Sequence, residues 1–329
     1  MTSPTTPTDD VPAETEPGHG AANGSAVTDA VEAGDGRRQS PEQVALGRRQ
    51  RFAESFRQFR SDHLMGFLFG IIILLLLLVA IAAPIVATHD PSAIPRPPQK
   101  LAPPSGDHLF GTDQLGRDIF SRVVYGARTS LIVATATVVI STILGTLLGA
   151  VSGYLGGWVD LVIQRIVDAV LSIPVLILAL FIASLLGASI TNVVLALSII
   201  YIPRFSRIAR GEMLRIRSAE YVTAAEALGA KPSRIIFKHG VPNLVAPIIV
   251  LASLTFGQAI VAEAALSFLG VGAPITEPSW GRMLSTSREF MTVAWWSVVF
   301  PGAALSLGVL AFNLFGDALR DHLDPKLVR

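Results

Sequence analysis

The sequence predicts an all-α polytopic membrane protein with six transmembrane helices, and three observations carry that prediction. Hydrophobic residues make up 51% of the 329-residue chain and charged residues only 16%. Uncharged stretches long enough to cross ~30 Å of hydrocarbon recur along the chain. Lys and Arg concentrate in alternate segments, as expected of loops that stay in the cytoplasm. The chain has no cysteine, which excludes disulfides, thiolate catalysis and iron–sulfur ligation by its own residues.

The amino-terminal residues precede the first apolar stretch. Residues 1–45 are rich in Pro, Thr, Gly and acidic residues and are predicted to form a disordered cytoplasmic tail. They do not resemble a signal peptide, because no apolar region follows a basic start. In residues 46–63, Phe52, Phe56 and Phe59 recur among arginines, which is typical of a basic amphipathic helix at a membrane surface. The arginines could equally be a topology signal alone, so both interpretations stay open.

The six predicted spans follow from the uncharged stretches. Residues 64–88 form the first span, and residues 89–130 form an extracytoplasmic loop with a Pro-rich first half and a short interfacial helix near its end. A domain over residues 131–316 contains the other five spans and a loop at 204–241, and residues 317–329 form a cytoplasmic carboxyl terminus. Those five spans cover 131–152, 160–186 with an interruption at Pro174, 189–203, 242–270 and 295–315.

The distribution of Lys and Arg predicts the orientation. The segments 1–64, 204–240 and 317–329 carry more of these residues than the alternate segments do, which places both termini in the cytoplasm. Tryptophans prefer the membrane interfaces. The predicted topology puts Trp280, Trp295 and Trp296 at the outer interface and Trp158 at the inner one.

Glycine recurs at every fourth position at the end of the second predicted span. Gly145, Gly149, Gly153 and Gly157 would form one face of small residues on a helix. Such a face lets a second helix approach closely, so helix packing is the favoured role and a moving contact is the less favoured one.

Between the fourth and fifth spans the sequence RIRSAEYVTAAEALGAKPSRIIFKHGVPNL predicts a helical hairpin in water. Ser218 is a suitable N-cap, and Glu220 lies in the first turn, where a carboxylate stabilises the helix dipole. Helical spacing also places four residues on one apolar stripe: Tyr221, Ala224, Ala225 and Leu228.

Glycine and proline residues divide this hairpin. Gly229 is suited to the position after the first short helix, and Pro232 prevents that helix from continuing. A second short helix is predicted from Ser233, and Pro242 begins the fifth span. The stripe suits docking onto another protein, although an amphipathic connection between two spans is an equally simple interpretation.

The hairpin resembles the cytoplasmic EAA loop of binding-protein-dependent ABC transporter permeases. Ala224, Ala225, Gly229 and Pro242 match the family pattern, whereas Thr223 stands where the family has glutamate. His239 also departs, because the family has isoleucine there. We hypothesise that Glu220 and Glu226, three residues either side of Thr223, supply the missing charge.

The resemblance extends over residues 50–329. Over this range the chain is similar to the C-type permease subunit of dipeptide, oligopeptide and nickel importers. It is carried by FGTDQLGRDIFSRVVYGARTSL (110–131), RIVDAVLSIP (165–174), ALSFLGVG (265–272), PSWGRML (278–284) and NLFGDALRDHLDPK (313–326). The resemblance implies a non-catalytic subunit in the cell membrane that forms half of a pathway for peptides. Nickel or another small solute is the alternative cargo.

The same resemblance implies several partners. These are a second, B-type permease subunit, ABC ATPase subunits or a fused ATPase, and an extracytoplasmic substrate-binding protein. The short cytoplasmic helix would dock on the ATPase. The chain has no G-x-x-x-x-G-K-[ST] loop, so ATP and Mg²⁺ would be bound by the partner ATPase, and no cofactor is expected in this chain. A net charge of +1 gives no indication of a nucleic-acid partner.

The charged residues and histidines bear on two other functional classes. An intramembrane protease is disfavoured, because no histidine falls within a predicted span and no H-E-x-x-H motif occurs. A proton-coupled secondary transporter would use intramembrane acids, of which Asp168 and Glu263 are candidates. Arg165 lies on the face of Asp168, which favours a structural or coupling ion pair there. Glu263 is predicted near the outer interface, where it either gates the outer mouth or reaches water.

The outer loop contains His108, Asp113 and Asp118, which raise the question of a metal site. Their spacing fits no standard ligand set. Turns at Gly111–Asp113 and Gly116–Asp118 that cap the following helix are the favoured interpretation, and no metal is predicted.

Overall fold

The computed structural model describes residues 64–274 and 276–323, and in these residues the protein is helical with no named β-strand. Five helices are each long and apolar enough to cross a membrane. Two further helices meet at a bend of 93° and together satisfy the same criteria, which brings the number of spans to six when the pair counts as one. The predicted all-α polytopic fold is therefore confirmed. The predicted tail (1–45) and amphipathic helix (46–63) lie outside the described residues.

The helices are, in chain order, α1 (Leu64–Ile81), α2 (Ala83–Val86), α3 (Ile119–Leu155), α4 (Gly157–Leu171), α5 (Val175–Leu186), α6 (Ile190–Arg217), α7 (Glu220–Ala227), α8 (Pro232–Ile235), α9 (Val241–Phe268), α10 (Trp280–Ser287) and α11 (Trp296–Leu323). A π-helical turn (Ile236–Gly240) joins α8 to α9, and a 3₁₀ turn (Arg288–Phe290) follows α10. The bent pair is α4 and α5, and Pro174 at the break is the predicted interruption.

The second span begins earlier than predicted. Instead of a separate interfacial helix, α3 runs without a break from Ile119 to Leu155, and Asp118 caps it by accepting from the Ser121 N–H at 2.8 Å. No proline interrupts this segment, and the Trp280 ring packs directly against Gly126. The Trp280 indole donates to the Val123 carbonyl at 3.0 Å. Trp280 is therefore a packing residue buried within the protein.

The fourth span also differs in length. The prediction ended it at Pro203, but α6 continues through that buried proline to Arg217. Phe205, Ala209 and Met213 beyond the proline are fully buried, so packing against neighbouring helices sustains the helix despite the missing N–H. Residues 204–217 thus belong to a spanning helix, and the loop predicted over 204–241 begins only after Arg217.

Other boundaries shift by smaller amounts. The first span is shorter than predicted, because α1 ends at Ile81 and the separate α2 follows. The fifth span does not begin anew at Pro242, since 232–268 passes as one candidate span through the π-helical turn. The last span, α11, extends to Leu323 and so includes part of the predicted carboxyl-terminal segment 317–329.

Two buried clusters organise the bundle. The larger one lies among α3, α6, α9 and α11 and contains Leu197, Ile260 and Phe312. The smaller one joins the ends of α3, α6 and α9 to the hairpin and contains Met213 and Leu244. The hairpin is therefore attached to the spanning helices by a buried core of its own.

Candidate functional site

The first short helix of the hairpin, α7, forms as the sequence predicts but begins differently. Its N-cap is Ala219, which makes no side-chain cap, while the Ser218 hydroxyl donates to the Arg215 carbonyl at 2.9 Å and ends α6 instead. The predicted capping role of Ser218 is therefore wrong. Glu220 lies in the first turn as predicted, where its carboxylate offsets the positive end of the helix dipole.

The end of α7 is a glycine turn. Gly229 has φ +80°, a backbone conformation that favours glycine because a Cβ would be strained there. Its N–H donates to the Glu226 carbonyl at 2.9 Å, and the Ala230 N–H donates to the Ala225 carbonyl at 3.0 Å. This pair of bonds is a Schellman motif, and it stops α7 abruptly before Pro232 begins α8.

The predicted apolar stripe faces away from the bundle. Tyr221 is 48% exposed and Leu228 is 89% exposed, while Thr223 and Ala224 are also exposed and Ala225 is half-buried. The Tyr221 ring lies 6.1 Å from the His239 ring, and most of this face is otherwise exposed. A surface of small and apolar side chains at the tip of a rigid hairpin is suited to contact with another protein.

Val222, which the sequence analysis did not single out, attaches α7 to the bundle. Its side chain is 0% exposed and belongs to the cluster that contains Met213 of α6, Ile235 of α8 and Leu244 of α9. The sequence signal is one β-branched residue beside the stripe, together with the apolar pair Ile235 and Ile236.

A hydrogen bond ties the hairpin to a third spanning helix. The Tyr154 hydroxyl, near the end of α3, donates to Oε1 of Glu226 at 2.9 Å. The Arg217 guanidinium lies 6.0 Å from the centroid of the Tyr154 ring. Glu226 is thus hydrogen-bonded to the bundle, and both acids proposed to substitute at Thr223, Glu220 and Glu226, are exposed.

Three of the four predicted packing glycines join α3 to α6. A Cβ at Gly145 would lie 2.5 Å from the Phe205 Cβ, and one at Gly149 would overlap the Ser206 carbonyl. Gly153 meets Arg210 in the same way. Gly157 is different, because a Cβ there would meet no atom within 4 Å and the residue begins α4 with φ +53°. The predicted face therefore ends at Gly153.

The charges of the third span are paired with α6. Asp168 forms an ion pair with Arg207 at 2.7 Å, so its partner is not Arg165 as predicted. Asp160, which sequence analysis did not select, accepts from Nε and Nη2 of Arg210 at 2.6 Å each. Both pairs join α4 to α6, and helical spacing within one segment could not have revealed them, because the partner lies on another helix.

Glu263 is buried within the bundle. It is 1% exposed and accepts hydrogen bonds from Ser130 of α3 at 2.8 Å and from Ser267 at 2.7 Å. The alternative that this carboxylate reaches water is therefore wrong. It connects α9 to α3 near the end of the bundle opposite the hairpin.

The outer loop has the turns that the sequence indicated. Asp113 accepts from the Leu115 and Arg117 N–H groups at 2.8 and 3.0 Å and pairs with the Arg117 side chain at 2.7 Å. Asp118 caps α3 and lies 2.9 Å from Nδ1 of His108. His89 joins these two in the geometric cluster that could accommodate a cation, whereas Asp113 stands apart from it.

A cavity of about 360 Å³ opens between α5, α6, α9 and α11. Apolar side chains make up most of its wall, and its polar members are Tyr201, Arg204, Gln258 and Asn313. Arg204 donates a hydrogen bond to the Gln258 side-chain oxygen. Arg204 was predicted to lie in the loop 204–241, but it lies within α6.

Comparison with known proteins decides what kind of bundle this is. Residues 145–329 match the family described as binding-protein-dependent transport system inner membrane component, and residues 50–104 match the N-terminal TM domain of oligopeptide transport permease C. The chain belongs to this family of transport permeases. Family membership makes it a multi-pass inner-membrane component of an ABC transport system rather than an enzyme.

Several curated relatives match most of this chain. The chain is 47% identical to a dipeptide transport system permease protein of Alkalihalophilus pseudofirmus, over 83% of this chain and 90% of the relative. It is 48% identical to a dipeptide transport system permease protein of Escherichia coli, over 78% and 87%. A probable D,D-dipeptide transport system permease protein of Escherichia coli is 46% identical, over 78% and 86%. These permeases cover most of the described helices.

Proposed function

We propose that this permease forms half of the translocation pathway of an ATP-driven peptide importer and passes the motion of an ATPase into the membrane through α7. It pairs with a second, B-type permease and receives di- or oligopeptides from an extracytoplasmic binding protein. Both termini and the hairpin lie in the cytoplasm, where separate or fused ATPase subunits bind ATP and Mg²⁺. This chain needs no cofactor of its own.

The contacts of α7 carry the coupling part of the proposal. One face of α7 is exposed and apolar, while the other is attached to α6 and α9 through Val222 and to α3 through Glu226. A force applied to the exposed face therefore reaches three spanning helices at once. A hairpin that only connected two spans would not need a buried anchor, a Schellman turn and a bond to a third helix.

The relatives' names and the cavity support a peptide cargo. The three relatives described above are named for dipeptide transport, and the described lining of the cavity includes no histidine or methionine. Nickel prefers imidazole and other nitrogen or sulfur ligands, so this lining is poorly suited to it. A proton-coupled carrier is disfavoured because the buried acid, Glu263, is sealed by Ser130 and Ser267.

Cross-linking tests the coupling proposal. The chain has no cysteine, so Tyr221→Cys or Leu228→Cys introduces a single thiol that a maleimide–benzophenone reagent labels. Illumination of the assembled transporter should attach each variant to an ATPase subunit. Leu109→Cys, exposed in the outer loop, is the matched control and should give no such product. Equal capture from position 109, or no capture from 221 and 228 in an intact complex, would refute the docking role of α7.

Uptake by the reconstituted transporter tests the cargo. Proteoliposomes that contain the complete complex and its binding protein should accumulate a radiolabelled dipeptide only when ATP is supplied. Accumulation of Ni²⁺ instead would identify the alternative cargo. Uptake driven by a proton gradient without ATP would contradict the importer assignment as a whole.

A further inference from the structure

The cavity between α5, α6, α9 and α11 contains a charge for which the proposed function has not accounted. Arg204 is half-buried, and its described contact is the hydrogen bond to Gln258. The neighbouring arginines of α6 differ, since Arg207 is paired with Asp168 and Arg210 with Asp160. Among the residues that the structure describes, no carboxylate forms an ion pair with Arg204.

Arg204 lies within the candidate membrane span α6. At ~1.5 Å per residue, it is about 21 Å along the axis from Ile190, where α6 begins. Gln258 is about 15 Å from Phe268, where α9 ends at the same side of the bundle. Both helices are candidate membrane spans that cross ~30 Å of hydrocarbon, so the two side chains meet between the ends of these spans. An arginine at that depth is costly and marks a functional site by default, because its charge needs a partner.

The side chains around Arg204 indicate which chemical group could bind to it. Only one of its N–H groups is used by the Gln258 oxygen, which leaves further donors directed at the cavity. The amides of Gln258 and Asn313 add two more possible donors, and Tyr201 lines the same wall. A fork of N–H donors matches the two oxygens of a carboxylate, whereas a cation would be repelled.

We propose that Arg204, with Gln258 and Asn313, forms a carboxylate-binding subsite that a peptide occupies during its passage through the permease. The proposal rests on the proposed function, since the carboxylate meant is the terminal one that every unblocked peptide carries. The apolar remainder of the cavity, which includes Leu176 and Val261, accommodates side chains without choosing among them. The subsite thus recognises the terminal carboxylate, which different peptides share.

Charged thiol reagents test this subsite without relying on transport. Val261 lines the cavity and is 46% exposed, so Val261→Cys places a single thiol in this chain beside Arg204. The complete complex, with cysteine-free partner subunits, is treated with anionic sulfonatoethyl or cationic trimethylammonioethyl methanethiosulfonate. Arg204 should favour the anionic reagent, and Arg204→Gln should lower the anionic-to-cationic rate ratio about 10-fold, while Arg204→Lys should keep most of it.

The control and the competing ligand make the result specific. Arg128→Gln removes an arginine that lines a different cavity on α3 and should leave the rate ratio unchanged. An unblocked dipeptide should slow the anionic reagent, while the same dipeptide amidated at its carboxyl terminus should not. Protection that instead requires an acidic side chain would assign the subsite to side-chain carboxylates and overturn the proposal for the terminal one.

Two outcomes would overturn the subsite altogether. An Arg204→Gln variant with the same rate ratio as its parent would show that the guanidinium does not act on the cavity. A thiol at position 261 that neither reagent reaches in the assembled complex would show that the second permease covers this wall. Failure of the proposed function would give a different result. The unsubstituted complex would then take up no peptide, even if its preference for the anionic reagent depended on Arg204.

Discussion

Replacement of Val222 by alanine is the sharpest perturbation of the hairpin. The side chain is 0% exposed and packs with Met213, Ile235 and Leu244. Removing two buried methyl-sized groups costs about 1.6 kcal/mol at ~0.8 kcal/mol each, before any cavity term. Because every 1.4 kcal/mol is tenfold in an equilibrium constant, detachment of α7 from the bundle should become about 14-fold more frequent.

Hydrogen exchange in the assembled transporter measures this detachment. Amides of residues 222–228 in the Val222→Ala variant should exchange about 14-fold faster than in the parent, and peptide uptake per ATP hydrolysed should fall. Tyr221→Ala is the control, because Tyr221 lies on the exposed stripe and its loss should weaken ATPase docking without freeing α7. Unchanged exchange in Val222→Ala, with the complex intact, would refute the view that this side chain anchors the hairpin.

The remaining predictions concern glycines and the buried acid. Gly229→Trp forces a side chain onto φ +80° and should leave the complex assembled while ATP hydrolysis continues without uptake; normal uptake would refute this. Gly149→Leu should prevent close packing of α3 on α6 and lower the thermal stability of the complex, whereas Gly211→Ala, with open space around its Cβ, should not. Glu263→Ala should destabilise by about 1–3 kcal/mol because two buried hydroxyls lose their acceptor, and Glu263→Gln by less; equal melting temperatures would contradict that reading.

Features that depend on local chemistry could be predicted from the sequence. Gly229 ends α7 as expected because the left-handed conformation that this turn requires is a property of one residue. The break at Pro174 and the exposed stripe on α7 follow from equally local rules. Composition and the recurrence of long apolar segments were enough to predict the all-α membrane fold.

Features that depend on partners elsewhere in the chain could not be predicted in the same way. Pro203 is typical of a helix end, yet packing of the residues beyond it allows α6 to continue. Arg204 therefore lies in the bundle, although the sequence predicts it in a loop. Asp168 forms its ion pair with Arg207 on another helix and not with Arg165 on the same helix. Gly157 shares the spacing of the packing glycines but lies past the point where α3 ends.

The glycine contacts between α3 and α6 have a mechanical consequence. From Gly145 to Gly153 the glycines of α3 pack directly against backbone and Cβ atoms of α6, so sliding or rotation of one helix past the other would cause a steric collision. The two helices therefore move as a single stiff body, and a displacement delivered near Tyr154 is carried to the opposite surface of the membrane rather than absorbed on the way. Flexibility during a transport cycle must then reside elsewhere, and the sharply bent junction of α4 and α5 is the natural place for it.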